Sequence, residues 1–318
     1  RIQKIEYIAR GYEKLEEKML SVSKDYFKNH KNELPEENKQ VSLTLKKMIN
    51  DNYIDELEKL FKNEKVSCSG NVTVSNNNGN YIYSPYLDCG KDYKSTYLKD
   101  KIIEGEVDNN YVQFAGQLFR ILRINEDGTI RLFQNEGINQ IVWDNRFNPD
   151  MLYKSGINEF EYNSLNSRIK DSLEEYYNNE SVWKKEDLAY VTKQDLCVGK
   201  RSSADTKKDG SLECSKTIKD QYFGLLTVSE YLQASLDTNC DKTTSKSCSN
   251  YNWLSAFKDN IWTITANSET TSDIFCLTKT ISTYMASSYA SMNIVINISD
   301  KAIYEKGDGT LENPYIFR

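Results

Sequence analysis

Tyr111-Val-Gln-Phe-Ala-Gly-Gln-Leu-Phe-Arg-Ile-Leu-Arg-Ile-Asn-Glu-Asp-Gly-Thr-Ile-Arg-Leu-Phe133 is the stretch that sets the fold class. Val112-Gln-Phe114 leads into the strand-like run Leu118–Ile124, Asp127-Gly128 follows, and Thr129–Phe133 reads as the returning strand. An Asp-Gly pair between two such runs predicts a hairpin: Gly supplies positive φ, and Asp bonds its own backbone two residues on. Beyond it, residues 163–178 read as a helix with Leu165, Ile169, Leu173 and Tyr176 on one face. Tyr222–Leu226 reads as a strand running into Thr227-Val-Ser-Glu230, a capping box that opens a short helix through Ala234. Asn293–Ile298 is the last strand.

Toward the N-terminus the pattern is helical. Ile5, Ile8, Tyr12, Leu15 and Met19 recur at spacings of three and four, so residues 1–30 predict one long amphipathic helix ended by Leu34-Pro35. A second helix is expected from Ser42 as N-cap, carrying Leu43, Leu45, Met48 and Ile49, and a short third over Ile54–Phe61. Val72 and Val74 then alternate, Ser75–Gly79 is a turn cluster, and Tyr81-Ile-Tyr83 alternates again, which predicts a second hairpin. Residues 91–110 are polar and read as a linker. The reading is therefore α+β. A helix and hairpin region spans 1–100, and a mixed domain of short antiparallel strands spans 101–318.

Composition narrows the function classes. The 318 residues carry a net charge of −6, against a nucleic-acid face and against a polybasic membrane patch. The one histidine, His30, lies in a polar stretch and reads as a surface residue, so His-based nucleophilic catalysis and His-rich zinc sites are not expected. No apolar run nears the ~20 residues that span a bilayer. The chain opens at Arg1 inside the helix, so any anchoring or export segment is expected upstream. Asp127 and Asp308 each sit in a turn with too few oxygen ligands for calcium, and neither metal nor cofactor is expected.

Seven cysteines are present and none forms a Cys-x-x-Cys pair. Six group by proximity, Cys68 with Cys89, Cys197 with Cys214 and Cys240 with Cys248, each pair bracketing a polar segment where a staple is useful. Such bridges imply an oxidising compartment; the alternative is seven thiols in a reducing one. Cys276, in the strand-like run Asp273–Thr278, reads as a buried thiol acting as a small hydrophobe, with a reactive or intermolecular cysteine as the other choice.

Two resemblances follow. The long helix with Cys68-Ser-Gly-Asn-Val-Thr-Val74 and Tyr86-Leu-Asp-Cys-Gly-Lys-Asp-Tyr93 resembles type IV pilin-like proteins of Gram-positive bacteria. Their Gly-Phe-x-Leu-x-Glu processing site and apolar half-helix do not occur in this sequence. The hairpin stretch above, Gly224–Leu232, Trp262-Thr-Ile264 and Gly307-Asp-Gly-Thr-Leu-Glu-Asn-Pro-Tyr315 are similar to a Firmicutes surface module with the C-type-lectin-like fold of formylglycine-generating enzymes. Where that family carries Arg-Pro entering the last strand, this chain has Asn293-Ile294.

The resemblances imply an extracellular surface or pilus-associated protein displaying a lectin-like domain for adhesion. Expected partners are other pilin subunits or cell-surface components, with a glycan or host protein as ligand. The expected ligand surface lies between Cys240 and Thr271, with Tyr251, Trp253, Trp262, Asn267 and Ser268, because flat rings stack on sugars and amides both donate and accept. The plainer reading is that both tryptophans are core residues. A structural minor pilin is the second functional reading. An enzyme is the third and least expected, since formylglycine chemistry needs two cysteines and Cys276 lacks a partner if the local pairs form.

Overall fold

The computed structural model describes residues 2–37, 39–62, 65–77, 79–90, 93, 101–125, 127–151, 154–299, 301–302 and 304–317. In the smaller module, α1 (Ile2–Asn29) lies across a three-stranded antiparallel sheet of β1 (Gln40–Thr44), β2 (Ser69–Asn77) and β3 (Asn80–Asp88). Two short helices, α2 (Leu45–Asn50) and α3 (Leu57–Leu60), join β1 to β2. Tyr12, Leu15, Met19, Val22, Tyr26 and Phe27 form the buried stripe of α1 and pack on Leu43, Val72, Val74 and Leu87. The side chains of Ile5 and Ile8 lie outside the described residues. Gly70 marks the closest approach: a Cβ there would meet the Tyr86 carbonyl at 2.5 Å and the Met19 methyl at 2.9 Å. His30 is half-buried, its ring stacked on Tyr26 at 4.1 Å.

The second helix starts later than expected. Ser42 is not its cap but a strand residue, its hydroxyl 3.2 Å from that of Thr73 on β2. Thr44 is the cap, accepting from the Lys47 amide at 3.1 Å. The ladder to β2 wins over the local helical pattern, because it pairs the whole run Gln40–Thr44 in register. The third helix shrinks to α3, and Ile54 is buried ahead of it.

The larger module begins inside the expected linker. Of residues 91–110, only 93 and 101–110 are described. β4 (Lys101–Ile102) pairs with β6 (Gln117–Ile124), so that end of the linker belongs to the sheet. The other strands are β5 (Tyr111–Phe114), β7 (Ile130–Gln134), β8 (Ile138–Val142), β9 (Glu161–Tyr162), β10 (Leu165–Asn166), β11 (Val191–Thr192), β12 (Gln194–Cys197) and β13 (Thr217–Gln221). They continue with β14 (Ile261–Ala266), β15 (Asp273–Thr278), β16 (Thr280–Met285), β17 (Tyr289–Met292), β18 (Val295–Ile298), β19 (Tyr304–Lys306) and β20 (Tyr315–Phe317). Helices α4 (Arg168–Tyr177), α5 (Lys185–Leu188) and α6 (Val228–Gln233) lie between them.

One sheet runs β11-β18-β7-β6-β5-β20-β19, with β4 beside β6; a second runs β16-β15-β14-β17-β8. β18 is buried on both faces. Ile296 and Ile298 join the core that holds Trp143, Trp183 and Trp262, while Val295 joins the one that holds Tyr231 and Trp253. Asn293 is buried and donates its amide to the Gln134 carbonyl at 2.9 Å.

Two further expectations change. Leu165 is not on a helical core face but 63% exposed, in a tight β9–β10 hairpin whose turn residues Asn163 and Ser164 both have positive φ, 49° and 63°. The helix begins only after Ser167, which caps the Lys170 amide. Tyr222–Leu226 is not a laddered strand: only Gly224 bridges Val295. The capping box at Thr227–Glu230 and the end of its helix at Ala234 stand as expected.

Between the modules, Ile103, Val107, Ile121 and Ile124 of the larger face Ser69, Asn71 and Thr73 of the smaller across a cleft. Lys39 and Glu106 pair across this seam at 3.5 Å.

Candidate functional site

The residues expected to contact a ligand do not form a surface. Trp253 is 2% exposed and donates its indole N–H to the Ile103 carbonyl at 2.9 Å. Trp262 is fully buried and donates to the Ile141 carbonyl at 2.7 Å. The cause is local: every residue of β14 is buried, because this strand is covered on both faces. Asn267 is also buried and holds a turn, its side-chain oxygen accepting from the Glu269 amide at 2.9 Å. Tyr251 is half-buried at a left-handed φ of 50°. Ser268 is exposed, with its amide committed to the Arg201 carbonyl at 2.9 Å. This corrects the expectation of an aromatic-lined surface between Cys240 and Thr271; the tryptophans are core residues.

A polar cleft of about 380 Å³ opens instead on the larger module, between the β6–β7 hairpin, the start of β12 and α6. Arg123 and Arg131 are directly opposite each other across β6 and β7 and both line it. Cross-strand neighbours share one face of a sheet, and like charges there repel. Glu230, the capping-box residue, is bonded by Arg131 Nε. Burial would raise the Glu230 carboxyl, but Arg131 and Arg123 hold it below the usual carboxylate range. Its second oxygen accepts from the Thr227 amide at 2.9 Å.

Neutral amides fix the guanidinium of Arg131. Gln194 gives its NH₂ to the carbonyls of Tyr222 and Val295, both at 3.0 Å, so its oxygen faces Arg131 Nη1 at 2.8 Å. Arg123 donates Nε to Asn125 Oδ1 at 2.9 Å. Lys193 adds a third, exposed cation to the cleft. Asp127 and Asp209 stand exposed at the rim, each accepting from a neighbouring turn hydroxyl, Thr129 at 2.6 Å and Ser211 at 2.6 Å.

Beside this cleft sits a buried ion network. Arg201 and Glu213 are both fully buried, 3.2 Å apart. Arg201 also donates to Thr243 Oγ1 at 2.8 Å, Ser229 Oγ at 3.0 Å and the Lys207 carbonyl at 2.8 Å. Glu213 in turn accepts from the Ser229 amide at 2.9 Å and its hydroxyl at 2.9 Å. A network this fully satisfied locks the loop that carries Cys214.

The cysteines pair as expected. Cys68–Cys89 closes the open end of the β2–β3 hairpin, Cys197–Cys214 ties β12 to the network loop, and Cys240–Cys248 staples the segment after α6. Their spacings of 21, 17 and 8 residues correspond to about 3 kcal/mol each in the chain-entropy model. Cys276 is free and buried in β15, and burial pushes its thiol up to about 12. Burial pushes the Tyr231 phenol up to about 12 as well. Both groups are neutral when folded and would ionise more readily when unfolded. Their contribution is complete below the ordinary thiol value near 9.0 and is lost as pH rises toward 12. The urea midpoint is expected to fall steadily between pH 9 and 11, and to fall less in Cys276→Ala. A flat midpoint over that range contradicts the burial of these groups.

The cleft escaped a reading by composition, yet one signal pointed to it. Positions 123 and 131 are equidistant from Asp127, so folding the hairpin about its Asp-Gly turn sets the two arginines opposite each other.

The chain is thus a disulfide-stapled α+β protein with a polar cleft on its larger module. No family model, curated protein or solved structure matches it. Among the described residues there is no acidic, Cys or His group fit to hold a metal ion, and no helix is long and apolar enough to cross a membrane.

Proposed function

We propose that this chain is the extracellular part of a bacterial surface or pilus-associated protein. A pilin-like module over residues 1–100 carries a C-type-lectin-like module over 101–318, which binds a ligand for adhesion. The observation that carries this reading is the set of three disulfides, which persist in an oxidising compartment. The ligand is a glycan or host protein, and its seat is the Arg123–Arg131 cleft rather than the buried tryptophans. The rigid network beside the cleft suits recognition, because a preorganised site loses little entropy on binding. Other pilin subunits or cell-surface components are the partners of the smaller module. Cys276 is read as a packing residue, so no thiol chemistry is assigned to the protein.

The test is surface labelling of intact source cells with a membrane-impermeant biotin reagent, followed by binding of the purified chain to glycan and matrix-protein panels. Labelling together with saturable binding is expected. A chain protected from the reagent until lysis would sink the extracellular reading, and inertness on both panels would sink adhesion.

A further inference from the structure

We propose that the polar cleft binds an acidic saccharide unit, its single carboxylate or sulfate seated on the free guanidinium edges of Arg123 and Arg131. This rests on the cleft being the ligand site of the protein. Two guanidiniums directly opposite each other on one sheet face repel, and among the described residues the one ion pair they make is that of Arg131 with Glu230. Among the described residues, Arg131 spends Nε and Nη1, and Arg123 spends Nε alone. Arg131 Nη2 and both terminal nitrogens of Arg123 remain as donors. Lys193 also lines the cleft, and the amide oxygens of Gln194, Asn297 and Asn125 are already turned onto the arginines. A planar fork of unspent guanidinium donors fits a carboxylate or sulfate.

The rest of the cleft decides what carries that anion. Asp127, Asp195 and Asp209 line the same cleft. Carboxylates accept hydrogen bonds and donate none, so they favour hydroxyls and repel a second negative charge. That excludes polyanions such as acidic peptides and nucleic acid, in keeping with the net charge of −6. One negative charge with many hydroxyls is the chemistry of an acidic sugar. A volume of about 380 Å³ lies in the range of small-ligand pockets.

The test uses the full oxidised chain, titrated calorimetrically with glucuronate, N-acetylneuraminate, glucose 6-sulfate, glucose, inorganic sulfate and a hexa-aspartate peptide. At least one acidic sugar is expected to bind saturably, glucose and the peptide not to bind, and inorganic sulfate to bind more weakly than the sugar. Which acidic sugars bind separates a carboxylate from a sulfate as the recognised anion. Arg123→Gln, chosen because Arg123 is half-exposed and the direct bond to Glu230 is made by Arg131, should weaken binding about tenfold with an unchanged circular dichroism spectrum. Lys59→Gln on α3 of the smaller module should change nothing. Absence of acidic-sugar binding, equal binding of glucose or of bare sulfate, preference for the peptide, or an unaltered affinity in Arg123→Gln each overturns the proposal. Its failure is separable from that of the adhesin reading. A surface-labelled chain that binds a neutral glycan or a protein loses only the acidic sugar. A chain absent from the surface that binds glucuronate through Arg123 loses only the adhesin.

Discussion

Arg201→Met lowers the stability of the larger module by about 3–5 kcal/mol, the usual cost of removing one partner from a buried ion pair. The expected size follows from the surroundings. The guanidinium is fully buried and bonded to Glu213, Thr243, Ser229 and the carbonyls of Asp205 and Lys207. Removing it strands a carboxylate that is itself fully buried. It also takes this donor from the Lys207 carbonyl and from the hydroxyls of Thr243 and Ser229, and each uncompensated polar group adds its own desolvation cost. Tryptophan fluorescence through a urea titration measures the loss. The double variant Arg201→Met, Glu213→Leu is expected to recover part of it, since removing both charges leaves none unpaired. A single variant as stable as the parent would mean that the network is solvated in solution.

Trp262→Ala should cost about 3–5 kcal/mol, the range for emptying a large aromatic from a core, and Trp262→Phe should cost less. The indole is fully buried, and its N–H is spent on the Ile141 carbonyl of β8. It packs edge-on to Tyr284 at 6.3 Å, so it ties β14 to strands on both sides of its sheet. The same variant separates two roles for this residue. A core tryptophan shifts the thermal midpoint and leaves the ligand affinity of the still-folded protein alone. A ligand-stacking tryptophan does the reverse, and an unchanged midpoint with lost binding would contradict its placement.

What the sequence showed, and what it hid, divides along the range of the forces involved. The stripe on α1 from Tyr12 onward, the capping box at Thr227–Glu230 and the Asp-Gly hairpin depend on neighbours within a few residues, and all three are present in the structure. The three disulfides could be read from proximity along the chain because each closes a short segment. Ser42 looked like a helix cap because the partner that makes it a strand residue, Thr73, lies 31 positions away. Leu165 fitted the helical period, but Asn163 and Ser164 accept positive φ and turn the chain back first. The tryptophans could be counted in sequence, whereas their burial depends on which strands cover β14. The cleft was hardest to see, because its charges come from β6, β7, β12 and α6 and meet only once the sheet is in register.

The disulfide set supports the extracellular reading more than any other feature, and its state in the protein from its source is directly measurable. Protein isolated with thiols blocked at lysis, then digested without reduction, is expected to yield three linked peptide pairs, Cys68–Cys89, Cys197–Cys214 and Cys240–Cys248, with one alkylated cysteine, Cys276, labelled only after denaturation. Recovery of all seven cysteines as alkylated thiols, or of Cys276 bridged to any of the six, would contradict the account.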